Sequence, residues 1–316
     1  MPYLTLALFL LAVGLLWSAV LIYFMARNLL TPRRMTDVRA LARVNRMTPA
    51  DLGLPFTPMG FTVRDVRTGR PLRMAAWWVP APATSDKTVV LVHGYGDAKV
   101  GAIAWAPTWR SLGWHVLAVD LRAHGESDGV YSTAGFYERE DLDQILNALR
   151  AEKPQATNTL ALFGISLGAA CVAATVARRG DVAAVVLESP FADYRDAVHL
   201  HVKRNGFPFV RFTHGVCRVA EWISRCDFRP VAPAVTIPTV PAPLLTICGT
   251  ADPFIDPAAL ARAMAKRPTT TVSRQDDWPG VSHVMALAHD PAAYRDRLAT
   301  FLNTALAPSP GTPGEG

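Results

Sequence analysis

Five short apolar runs recur through the middle of the chain, and each stops at a residue that bends or charges the backbone. Residues 88–92 end in His93-Gly94, 114–119 in Asp120, 159–163 in Gly164, 183–187 in Glu188 and 244–248 in Gly249. None alternates apolar with polar, so each reads as a strand buried on both faces. Helical stretches separate them, at about 102–111, 138–151, 167–179, 257–265 and 291–306. Pro257 and Pro291 each follow an aspartate, where first-turn prolines belong. A hairpin of 61–67 and 70–79, turning at Thr68-Gly69, precedes the series. Strands alternating with helices predict an α/β domain with a mostly parallel sheet covered on both sides. Residues 190–243 break the pattern: they hold no strong strand run, only a helical spacing over 216–223 among aromatics and prolines. This insertion is expected to be a small helical lid, with a solvated connection carrying one packed helix as the alternative.

The chain has 316 residues, 50% hydrophobic and 18% charged, which excludes a disordered protein and suits one large domain or two small ones. Residues 1–25 carry no charged side chain. A helix of that length spans roughly 35 Å, enough for a bilayer core of about 30 Å. Residues 26–50 then hold Arg27, Arg33, Arg34, Arg39, Arg43 and Arg46 against Asp37 alone, so this flank carries +5 of the formal +6. The rest is nearly neutral, and a nucleic-acid partner is not expected. Arginines beside an apolar run favour the cytoplasmic side. The expectation is a single span over 1–26 in the cell membrane, N-terminus out. A basic juxtamembrane linker over 27–58, suited to an anionic leaflet, leads to a cytoplasmic domain over 59–306. A cleaved signal peptide would need a basic start, and Met1-Pro2-Tyr3 offers none. Residues 307–316, rich in Pro, Gly and Ser, are expected to form a disordered tail. Cys171, Cys217, Cys226 and Cys248 form no CxxC and are expected as reduced thiols, with a Cys217–Cys226 bridge left open.

Gly164-Ile165-Ser166-Leu167-Gly168 joins a strand to a helix. A tight turn there holds a serine exposed and strained, and the helix N-terminus aims its free amides at the same point. A serine hydroxyl needs a base within hydrogen-bond reach, and the base needs an orienting carboxylate. Asp252, just past an apolar strand, and His283, in Gly280-Val281-Ser282-His283 before the last helix, supply these in the chain order Ser, Asp, His. Taken singly, Asp252-Pro253 reads as a helix-start carboxylate and His283 as a loop histidine. Glu188 is the runner-up acid and His289 the runner-up base. The amides of Tyr95, in His93-Gly94-Tyr95-Gly96, and of Leu167 are the expected oxyanion donors, with His93 a turn histidine. No cofactor is implied. His199, His201 and His214 lack the companions of a metal motif, and no metal site is expected. Trp77, Trp78, Trp105, Trp109 and Trp114 read as core and lid packing.

These pieces, with Asp120-Leu121-Arg122-Ala123-His124-Gly125-Glu126-Ser127, resemble the α/β-hydrolase superfamily from about residue 61 to 304. The resemblance implies an α/β-hydrolase fold of about eight strands, with a structural role for Asp120, His124 and Ser127. Ser166 stands where dehalogenases of the fold carry aspartate. Leu167 stands where proline-peptidase-like members usually carry tryptophan. With its apolar N-terminus, the chain is similar to membrane-tethered serine hydrolases: esterases, thioesterases and peptidase-like enzymes. The expected substrate is an acyl ester, thioester or amide, reasonably a hydrophobic one. A same-fold acyltransferase and a non-catalytic scaffold are the competing classes.

Overall fold

The computed structural model describes residues 2–206 and 210–307. The tail expected over 307–316 therefore lies, from 308 on, outside the described residues. Eight strands form one sheet: β1 (Thr57–Arg64), β2 (Pro71–Val79), β3 (Lys87–Val92), β4 (His115–Val119), β5 (Thr159–Ile165), β6 (Ala184–Glu188), β7 (Leu244–Gly249) and β8 (Ser273–Trp278). Their order is β1-β2-β4-β3-β5-β6-β7-β8. β2 runs antiparallel to both β1 and β4, and every pairing from β4 to β8 is parallel. This is the α/β-hydrolase fold, with helical insertions.

The helices are α1 (Pro2–Leu30), α2 (Asp37–Val44), α3 (Lys99–Ala102), α4 (Ala106–Ser111), α5 (Glu138–Glu152) and α6 (Leu167–Val176). They continue with α7 (Tyr194–Arg204), α8 (Thr213–Ser224), α9 (Pro233–Thr236), α10 (Pro257–Ala265), α11 (Ala286–His289) and α12 (Pro291–Ala305). Unbroken apolar strands are explained by the two core layers. Val90 and Val92 of β3 pack with α5 and α6, whereas Val89 and Leu91 pack on the other face with α4 and α12. Trp109 and Trp114 fill that second layer edge to face, 5.4 Å apart. None of the five tryptophans expected in core and lid belongs to the insertion. Trp77 and Trp78 sit on β2, where Lys99 lies over the Trp77 ring and His115 stacks on Trp78.

β8 has no apolar run. It reads Ser-Arg-Gln-Asp-Asp-Trp and lies at the sheet edge, where charged residues discourage further pairing. Only its Asp276 and Trp278 are buried, and Asp276 is paired with Arg274 and Arg297.

The N-terminal region differs from the expectation. Among the described residues one helix, Tyr3–Leu30, is long and apolar enough to cross a membrane, with mean hydropathy 2.5. It continues past residue 26, and its last turn is packed against the domain: Ala26 and Leu30 are fully buried. α8, from the insertion, lies alongside it, with Gly215 next to Ile22. Residues 27–58, expected as a basic linker, are bonded to the domain at several points. Arg34 donates to the carbonyls of Gly125, Ser127 and Gly129, Arg43 to Gly96, and Arg46 to Val100. Half of the flanking arginines are thus bonded to backbone oxygens of the domain.

Candidate active site

β5 delivers Ser166 to the C-terminal edge of the sheet, and α6 begins at the next residue. Ser166 has φ 52° and ψ −110°, a conformation that costs an L-residue on the order of 1–3 kcal/mol. The tight turn needs a close approach of α6 to the end of β3. A Cβ on Gly168 would lie 2.2 Å from the Val92 carbonyl oxygen and 2.6 Å from that of His93. The Ser166 amide donates to the Glu188 carbonyl at 2.9 Å, which ties the turn to β6.

His283 Nε2 lies 2.9 Å from Ser166 Oγ, and His283 Nδ1 lies 2.6 Å from Asp252 Oδ2. The Asp252 carboxylate is shielded from solvent, whereas the imidazole keeps 23% of its side-chain surface exposed. Three residues distant in sequence thus form one hydrogen-bonded chain. The loops carrying the acid and the histidine are joined by backbone bonds. Thr250 donates to Trp278 at 2.9 Å and Ala251 to Val281 at 3.0 Å, while the Gly280 amide donates to Thr250 Oγ1 at 2.9 Å. Gly249 lets them meet, since a Cβ there would stand 2.2 Å from the Val281 carbonyl oxygen. Gly249→Ala should push the loops apart and lower kcat/KM about 100-fold, the cost of misplacing a reacting group by roughly 1 Å. Steady-state kinetics of that variant check this, and an unchanged kcat/KM contradicts it.

Two supports carried no sequence signal. Ser189 Oγ accepts from the Val284 amide at 3.0 Å, holding the residue after His283. Phe254 sets its edge against the His283 ring at 5.2 Å and meets His201 of α7 at 5.4 Å. Both are ordinary residue types whose role exists only in three dimensions.

Leu167 follows Ser166 in the chain, and Tyr95 follows Gly94, which lies against the serine: a Cβ on Gly94 would be 3.5 Å from the Ser166 Cβ. Leu167 opens α6, so its amide has no partner within the helix. Among the described residues, the Tyr95 amide is bonded to no turn or loop carbonyl. The His93 imidazole braces this turn: Nδ1 lies 2.7 Å from the Gly94 oxygen, and Nε2 accepts from the Leu121 amide at 3.0 Å. Complete burial pushes the His93 pKa down, which keeps the ring neutral and able to accept.

The runner-up residues lie elsewhere. Glu188 turns its carboxylate to the opposite face, where Trp105 Nε1 donates at 2.8 Å and the Tyr294 hydroxyl at 2.6 Å. Burial pushes its pKa from 4.5 up to about 7. The folded chain therefore keeps a proton that the unfolded chain releases, and stability falls as pH rises from 4.5 to about 7. Glu188→Gln carries no such proton. Its unfolding midpoint should gain on the wild type across that window, and a constant difference contradicts this. His289, on α11, packs against Trp278 of β8. His199 is bonded to Thr213, and all four cysteines are unpaired thiols. Among the described residues, no group of three or more His, Cys, Asp or Glu could hold a metal ion.

Fold and site together are those of a serine-hydrolase-like enzyme with the α/β-hydrolase fold. The family model described as Serine aminopeptidase, S33, matches residues 83–225. The chain is 23% identical over 239 residues to the uncharacterized protein YqkD of Bacillus subtilis (strain 168), covering 71% of this chain and 73% of that one. Over 132 residues it is 29% identical to the lysophosphatidylserine lipase ABHD12 of Macaca fascicularis, 40% of this chain and 32% of that protein. In structure it is similar to the Pyrococcus furiosus esterase Pf2001, with a TM-score of 0.70, 22% identity, and coverage of 87% of this chain and 98% of that one.

Proposed function

We propose that the protein is a membrane-anchored serine hydrolase cleaving carboxylic esters, thioesters or amides through an acyl-enzyme. The observation that carries this reading is the unbroken hydrogen-bonded chain from Ser166 through His283 to Asp252. Ser166 Oγ attacks the carbonyl carbon as its proton passes to His283 Nε2. Asp252 fixes the tautomer with the proton on Nδ1 and stabilises the imidazolium. The oxyanion receives hydrogen bonds from the Tyr95 and Leu167 amides, each donor contributing about 3 kcal/mol in the transition state. The leaving alcohol, thiol or amine takes the proton back from His283. Water then repeats the sequence on the acyl group and frees Ser166.

A hydrophobic acyl substrate is the class we assign. Two observations support it: the apolar Tyr3–Leu30 helix ends on the domain, and part of the chain is similar to a lysophosphatidylserine lipase. We place the helix in the cell membrane and the domain on its cytoplasmic side, where arginines favour it. Pre-steady-state hydrolysis of p-nitrophenyl esters tests the mechanism. A burst of one nitrophenol per chain is expected, with kcat/KM rising with acyl length. Undiminished turnover in Ser166→Ala contradicts the acyl-enzyme, and a preference for the shortest acyl group contradicts the substrate class.

A further inference from the structure

The last four carbonyls of a helix have no partner within it, and they form the negative end of its dipole. In α1 these oxygens are taken up mainly by the domain. The Ser132 amide donates to Leu30 at 2.8 Å. The Tyr95 hydroxyl is 2.9 Å from the Leu29 oxygen and 3.1 Å from that of Asn28. Desolvation of that hydroxyl pushes its pKa up to about 12, so it remains a proton donor at neutral pH. One residue on, the Gly96 carbonyl accepts from Arg43 of α2 at 3.2 Å, and Gly96 itself has φ +66°. Gly94, one residue before, lies against Ser166, and a Cβ there would be 3.5 Å from the serine Cβ.

The turn between β3 and α3 is therefore held from two sides. His93 fastens it to the sheet, and the N-terminal segment fastens Tyr95 and Gly96 from outside the hydrolase core. We infer that the N-terminal anchor is part of the catalytic apparatus: the end of α1, through the Tyr95 hydroxyl, and α2, through Arg43, set the position of the turn that carries the Tyr95 amide. Tyr95 thus has two functions. Its amide faces the oxyanion, and its side chain is a positioning group seated on the helix end. Arg43 is a positioning residue alone. A donor aimed at a developing charge works only when held in place beforehand, and small displacements are expensive. The inference rests on the hydrolase reading above and adds to it that the anchor acts on the rate as well as on location.

The test uses the full chain in phosphatidylcholine vesicles, with p-nitrophenyl ester hydrolysis and fluorophosphonate labelling as readouts. Tyr95→Phe keeps the ring and the amide and loses both bonds to α1. It should lower kcat about tenfold, leave KM within about twofold, slow labelling in proportion and leave the unfolding midpoint unchanged. Arg43→Gln should do the same through Gly96. A purely structural role would move the midpoint, or KM together with kcat. Wild-type rates in both variants overturn the clamp and leave the hydrolase standing. A wild-type chain that neither labels nor turns over overturns both.

Discussion

Ser166→Ala should lower kcat about 10⁴-fold or more and leave the unfolding midpoint unchanged or raised. The loss follows from the chemistry: no other group at the end of β5 can form the acyl-enzyme bond. The stability follows from the backbone, because Ser166 sits at φ 52° for the sake of its side chain and shares its hydroxyl with one partner, His283. Alanine keeps the turn and loses only that bond. Cys171→Ser is the matching control. Cys171 is wholly buried in α6, and burial pushes its thiol well above the usual range, so it offers no nucleophile. Its substitution should change kcat little. Comparable activity in the two variants would refute the assignment of the nucleophile.

Asp252→Asn should lower kcat about 10³- to 10⁴-fold while leaving substrate binding nearly intact. Asp252 Oδ2 accepts from His283 Nδ1, and its Oδ1 accepts from the Phe254 amide at 2.9 Å. An amide side chain can keep one of these bonds as acceptor, but its NH2 group must then face the other partner. Keeping the Phe254 bond turns a donor toward Nδ1 and selects the imidazole tautomer with its proton on Nε2, which cannot accept from Ser166. Fluorophosphonate labelling should slow in parallel with kcat, since both require a deprotonated serine. A variant with wild-type kcat would remove Asp252 from the mechanism and reopen the choice of acid. Glu188 would not inherit the role, because its carboxylate is bound by Trp105 and Tyr294 on the other face.

The strands of the sheet centre were readable because burial on both faces leaves a run of apolar residues, as in Val89-Val90-Leu91-Val92. The turn at Ser166 was readable because steric crowding leaves glycine as the residue that fits at 168. β8 was not readable, because an edge strand carries charges and buries only Asp276 and Trp278 of its six residues. The docking of residues 27–58 left no trace for a different reason. Arg34, Arg43 and Arg46 bond to main-chain oxygens, which every sequence possesses, so a cluster of arginines reads equally as a lipid-facing flank or as a set of clamps. The same holds for α1, whose composition describes a membrane helix and says nothing of the Tyr95 hydroxyl at its end.

The account depends most on one oxygen becoming a nucleophile. The direct measurement is mass spectrometry of the intact full-length chain after reaction with a fluorophosphonate, followed by peptide mapping. One adduct per chain is expected, on the peptide containing Ser166, absent from Ser166→Ala and formed far more slowly in His283→Gln. An unmodified chain under conditions that label an authentic serine esterase, or an adduct on a different side chain, would contradict it.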